Sequence, residues 1–321
     1  MSLSKEERID YTNSILCLKS KPSITPNQIA PGAKSRYDDF IVTHINQTFT
    51  IHGTGNFLAW HRYFIHIFEK ALRDECGYKG YQPYWNWART SQDILNSPDF
   101  NGQEDSLGSN GIPKKREEIQ FVFGNRHSIK LSNGQGGGCI KSGPFLNMTV
   151  NLGPIGPLFN VGPLVKNPLD YNPRCITRDL SDFIAKNYQS ESLILKLILN
   201  SQSIGIFQND LQVNNQQDLM SLHQAGHFVF GGDPSSDIFV SPGEPMFFLH
   251  HAMVDKVWWI WQNLNPNQRT YSISGTKTMF NNPPSPEASL DDFIDLGYNA
   301  GSVKLNELMS TVKGPFNYIY V

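Results

Sequence analysis

Six of the nine histidines in this chain fall into two groups of three, about half a chain apart. The first group is His44, His52 and His61, the last of them inside Ala59-Trp60-His61-Arg62-Tyr63-Phe64. The second is His223, His227 and His251, the last inside a run from Phe247 to Asp255. Neutral imidazole is a ligand for copper, zinc, iron and nickel, and three per metal leave coordination positions open for chemistry. Two such sites face to face would make a dinuclear centre.

Spacing supports the grouping unevenly. His223 and His227 stand four residues apart around Gly226, so a helix projects both rings from one face, one turn apart. A zinc hydrolase with this spacing needs a glutamate after the first histidine as general base; Gln224 occupies that position and cannot take up a proton. His250 and His251 are neighbours, about 100° apart on a helix, so one of them is a ligand and the other packs or hydrogen-bonds nearby. Spacing alone does not choose between them. His61 and His44 lie on apolar helical stripes, and His52 sits in a loop where Gly53 and Gly55 permit a tight path. His66 falls on another face of its helix and reads as solvated; His127, in a Gly/Asn-flanked loop, carries no signal.

The elements that must hold these rings are helices. Four blocks, residues 36–48, 57–75, 216–229 and 244–263, repeat apolar residues at helical intervals. Asp38 and Asp39 fit the first turn of the first block, and Gly231-Gly232 stops the third. Between about 95 and 178 the chain is rich in Gly, Pro, Asn and Ser and keeps no period, which predicts long ordered loops over a helical core. The run from Asn133 to Gly138 lacks the ending of a phosphate loop. The expected architecture is mainly α: one domain over residues 1–321, with an antiparallel four-helix bundle around the metals and few short strands.

Bulk composition narrows the partners. Lys+Arg 27 against Asp+Glu 29 leaves no basic stripe for nucleic acid. No uninterrupted apolar stretch reaches the roughly 18 residues a membrane span requires. The N-terminus is polar and is not a signal peptide. Secretion is nonetheless expected from two other features. Asn46 and Asn147 head glycosylation acceptor triplets. Cys17, Cys76, Cys139 and Cys175 are even in number without CxxC spacing, which suits two disulfides. Three pairings are open, and proximity favours Cys17–Cys76 and Cys139–Cys175.

With these stretches in view, the chain resembles the type-3 dicopper family of tyrosinases and catechol oxidases, the polyphenol oxidases, over roughly residues 37–262. The resemblance lies in His52-Gly53, Phe57 to Phe64, Glu69, Gln82 to Trp87, His223 to His227, Pro245 to Asp255 and Trp258. The loop residues Gly143 to Phe145, Leu152 to Pro154 and Asn172 to Cys175 are similar to short secreted fungal members. Tyr318-Ile319-Tyr320 looks like the motif that closes the family's core domain, so a mature, unshielded form is expected.

The resemblance implies two copper ions, one held by His44, His52 and His61 and the other by His223, His227 and His251. It implies that Phe247 stacks beside the substrate, that Gln224 borders the entrance, and that Ile238 lies near its mouth. Arg62 and Asp255 would pair behind the metals. The implied activity is oxidation of o-diphenols to o-quinones by O2, with small phenols as substrates. A dioxygen carrier could use the same site, but would need a shielding element over it.

Three departures bear on this. Thr50 stands where many members have a cysteine cross-linked to the second histidine, and Asn86 replaces a common aspartate. Members that hydroxylate monophenols often carry Asn or Asp after the fourth histidine, and a glutamate nearby. Here the residues are Gln224 and Asn214, Asn215, Gln216, Gln217 and Asp218. Weaker monophenol hydroxylation is therefore expected.

Overall fold

The structure is a computed structural model that describes residues 3–115, 118–123, 127–132, 134–156, 165–213 and 220–321. Asn214 to Asp218 thus lie outside the described residues, as does Asn133. Helices dominate: α1 (Lys5–Ser20), α2 (Arg36–Ile51), α3 (Phe57–Cys76), a single turn α4 (Trp87–Thr90), α5 (Asp182–Tyr188), α6 (Glu191–Asn200), α7 (Ile204–Gln212), α8 (Leu222–Phe228) and α9 (Met246–Asn263). The four histidine-bearing blocks became α2, α3, α8 and α9, the expected helical bundle. Helices α1, α5, α6 and α7 were not anticipated, although Ser4 and Glu7 form a capping box that marks the start of α1.

Local chemistry sets the helix ends. Ser35 accepts from the Asp38 amide while the Asp38 carboxylate reaches back to the Ser35 amide (2.9 Å), so α2 starts on a closed box. Helix α3 stops at Gly77, whose φ of 74° closes the last turn. Helix α8 begins only at Leu222, later than expected, because Ser221 caps it. It packs against α5, α7 and α9, while α3 and α9 meet through aromatic faces on which Phe68 stacks on Phe248 at 3.4 Å between centroids.

The Gly/Pro-rich stretch is less irregular than its composition suggested. It holds short antiparallel pairs, Ile119–Phe123 with His127–Leu131 and Gly111–Pro113 with Gly137–Ile140. His127 therefore starts a strand rather than sitting in a loop. Both favoured disulfides are formed, Cys17–Cys76 tying α1 to α3 and Cys139–Cys175 tying the loops together. Among the described residues no helix is long and apolar enough to cross a membrane.

Candidate metal centre

Helix α2 delivers His44 and ends on His52, its C-cap, while α3 delivers His61. All three are buried. Each Nδ1 faces a backbone carbonyl: Phe239 for His44 (2.9 Å), Thr48 for His52 (3.0 Å) and Phe57 for His61 (2.8 Å). A carbonyl can only accept, so each Nδ1 carries the proton and each Nε2 keeps its lone pair. The Nε2 atoms of His44 and His61 are buried and have no hydrogen-bond partner. A buried unpaired nitrogen is costly unless something binds it. One ligand atom from each of the three rings lies within 4.8 Å of those of the others.

The second set is assembled differently. His223 and His227 on α8 bring their Nε2 atoms to 3.3 Å. His251, on α9, has neither ring nitrogen bonded. His250 lies within the same 4.8 Å cluster, so proximity alone gives four candidates. Its hydrogen bond separates it from the rest, because the Trp87 indole N–H donates to His250 Nδ1 (3.2 Å). The His250 ring fills the space a side chain at Gly226 would need, since a Cβ there would lie 1.9 Å from His250 Cε1.

The two sets abut. His61 and His251 stack at 4.3 Å with planes 10° apart, and the His52 and His223 ring centroids are 6.2 Å apart. Phe247 sits between the sets, 4.2 Å from the His251 ring and 5.3 Å from that of His44. Burial pushes all seven imidazoles down, His52 to about 4 and His250 to about 3, so every ring is neutral at pH 7.

Gln224 is half-buried, and its side-chain oxygen accepts from the Ser221 amide (3.2 Å), which turns it back onto its own helix start. Ile238 is exposed, next to the Phe239 that anchors His44. Arg62 Nε lies 2.6 Å from Asp255, with both side chains buried, and the guanidinium also covers Trp258. The hydroxyls of Tyr318 and Tyr320 both donate to the same carboxylate (2.6 Å each). Thr50 is exposed on α2 and bonds Gln47, away from His52. Asn86 is exposed beside α4. Asn46 and Asn147 are both exposed. His66 is half-buried against Phe316 (5.0 Å) rather than solvated.

One support had no sequence signal. Arg178 and Glu244 form a buried two-point pair (2.9 and 2.5 Å), and Glu244 also accepts from the Met246 amide at the start of α9. The two residues are 66 positions apart, and nothing in local spacing links them. A cavity of about 830 Å3 opens elsewhere, between α1, α3 and residues 317–321; His66 lines it, but none of the six histidines does.

Comparison with known proteins agrees with the geometry. The model of the common central domain of tyrosinase matches residues 34–264. The chain is 36% identical over 321 residues to tyrosinase P of Aspergillus terreus, covering 99% of this chain and 89% of that protein. It is 35% identical to an N-acetyl-6-hydroxytryptophan oxidase of Emericella nidulans, covering 99% of this chain and 90% of that one. A polyphenol oxidase from Thermothelomyces thermophila superposes with a TM-score of 0.92 at 43% identity, covering 100% of this chain and 87% of that one.

Proposed function

This chain belongs to the tyrosinase family of copper-dependent phenol oxidases, and we propose that within it the chain is chiefly an oxidase of o-diphenols, producing o-quinones with O2. His44, His52 and His61 hold one copper, and His223, His227 and His251 the other. The observation that carries the reading is the meeting of the two sets, with His61 against His251 at 4.3 Å. Two coppers held by these rings would supply two-electron chemistry toward O2 and a catechol.

The chain's own residues do the rest. Backbone carbonyls at Phe57, Thr48 and Phe239 fix the tautomers of the first three rings. Trp87 donates to His250 Nδ1, which puts that ring's proton on Nε2 and supports His251 as the third ligand of the second set. Phe247 presents its ring between the sets, where an aromatic substrate would pack, and the buried shell keeps water out. Ile238 borders the approach. Gln224, engaged in its capping box, is an amide and takes no proton from a phenol, which favours substrates that need no hydroxylation. The whole chain acts as one domain. It works outside the cell, where its disulfides persist and exposed Asn46 and Asn147 are open to glycosylation.

The test is oxygen uptake and quinone formation on a monophenol and its matching diphenol, with copper determined on the same sample. The diphenol should turn over faster. Equal or faster monophenol turnover without a lag would reverse the ranking, and reversible O2 binding without quinone would make the chain a carrier.

A further inference from the structure

The segment from Gly275 to Ala288 contains a backbone outlier that the histidine chemistry does not explain. Phe280 sits at φ 51° and ψ 29°, and Asn281 follows at φ 58°. Asparagine tolerates this left-handed region by bonding locally, as Asn281 Oδ1 does with the Ser285 amide (2.8 Å). A bulky phenylalanine has no such relief and is a genuine outlier there. Such conformations persist only where the surroundings over-determine them. Burying the ring is not the reason, because Phe280 remains 62% exposed.

What the conformation achieves is contact with the turn that follows His52. Gly53 has φ 59°, and a Cβ on it would lie 2.7 Å from Phe280 Cε1, so the phenyl ring covers bare backbone. The Phe280 amide donates to the Gly53 carbonyl (3.1 Å), and the Gly55 amide donates to the Thr276 carbonyl (2.9 Å). From the opposite side, Gln212 Oε1 accepts from the Gly53 amide (2.9 Å). Both polar groups of Gly53 are therefore held, and the ring closes the remaining side.

We infer that Phe280 is a positioning residue for His52: its left-handed turn sets ring and amide against Gly53 and thereby fixes the imidazole that completes the first copper site. The inference rests on the copper assignment proposed above. It explains why a strained backbone is kept beneath a side chain that stays largely in solvent. It also separates His52 from His44 and His61, whose rings project from the interior of helices.

Phe280→Gly separates strain from positioning, because glycine accepts the same φ while removing the ring. Copper per chain is measured by metal analysis after dialysis against a weak chelator, alongside the melting temperature of the copper-free protein. For Phe280→Gly, copper should fall from two toward one per chain with roughly tenfold faster loss. Copper-free melting should stay within about 2 °C of the parent. Phe280→Tyr keeps the ring and should retain both coppers. If Phe280→Gly keeps both at the parental rate, the inference fails. It fails equally if that variant loses both coppers together with a melting drop above about 5 °C, which marks general structure. A parent chain that binds no copper removes the underlying assignment, and this inference with it.

Discussion

The two histidine sets are close neighbours built by opposite means. The first hangs on long helices, and each of its rings is pinned to a main-chain carbonyl. The second hangs on a seven-residue helix whose two imidazoles touch each other, and on α9, whose His251 has no bonded nitrogen. Backbone hydrogen bonds orient the first set ring by ring. Packing orients the second, through the His250 ring against Gly226 and the Arg178–Glu244 pair at the start of α9. Apart from the turn that Phe280 braces beside His52, the carbonyl-held site should tolerate side-chain changes around it better than the site held by packing.

The strongest blows to this contrast strike the buried ion pairs. Glu244→Gln leaves Arg178 without its counter-charge and should cost about 3–5 kcal/mol in chemical denaturation. Its copper loss should be confined to the second site. Asp255→Asn, by the same reasoning, should cost a similar amount, yet weaken both sites, because Arg62 follows His61 on α3 and Asp255 lies on α9. If Glu244→Gln weakened both sites alike, or Asp255→Asn only the second, the division between the sets would be wrong. Gly226→Ala comes next, at about 1–3 kcal/mol from overpacking against His250. Metal analysis should find the first copper retained.

Acid does not discriminate between the sets. Burial lowers the imidazoles in both, so the unfolded copper-free chain binds more protons than the folded one below its ordinary histidine value. Stability is complete above about pH 6.5 and should be lost as pH falls, with the His52 share lost toward about 4. Melting of the copper-free protein across that window checks this; a flat profile contradicts it. The mildest test is Trp87→Phe. Losing one hydrogen bond should cost about 1 kcal/mol. Release of His250 Nδ1 should perturb the second copper's spectrum and leave the first copper's affinity unchanged.

These particulars also explain what the amino-acid order could reveal. The helices bearing both sets were legible because aromatic and aliphatic residues recur at helical intervals around His44, His61 and His251. Spacing left His250 and His251 open, since the contact that distinguishes them is made by Trp87, 163 residues away. The Phe239 carbonyl and the Arg178–Glu244 pair were hidden for the same reason: backbone acceptors and distant ion pairs leave no local pattern. Helices α5 to α7 are short, and in α6 apolar residues occupy most positions, which blurs the stripe that marks an amphipathic helix.

The bridge between Cys17 and Cys76 spans a separation of 59 residues, and His44, His52 and His61 all lie within that span. No comparable tether encloses His223, His227 and His251, because the other bridge ends at Cys175. Even in a denatured but oxidised chain, the first three imidazoles remain on one covalent ring, at a raised effective concentration toward a shared cation. Reduction dissolves that advantage for one metal and leaves the other as it was.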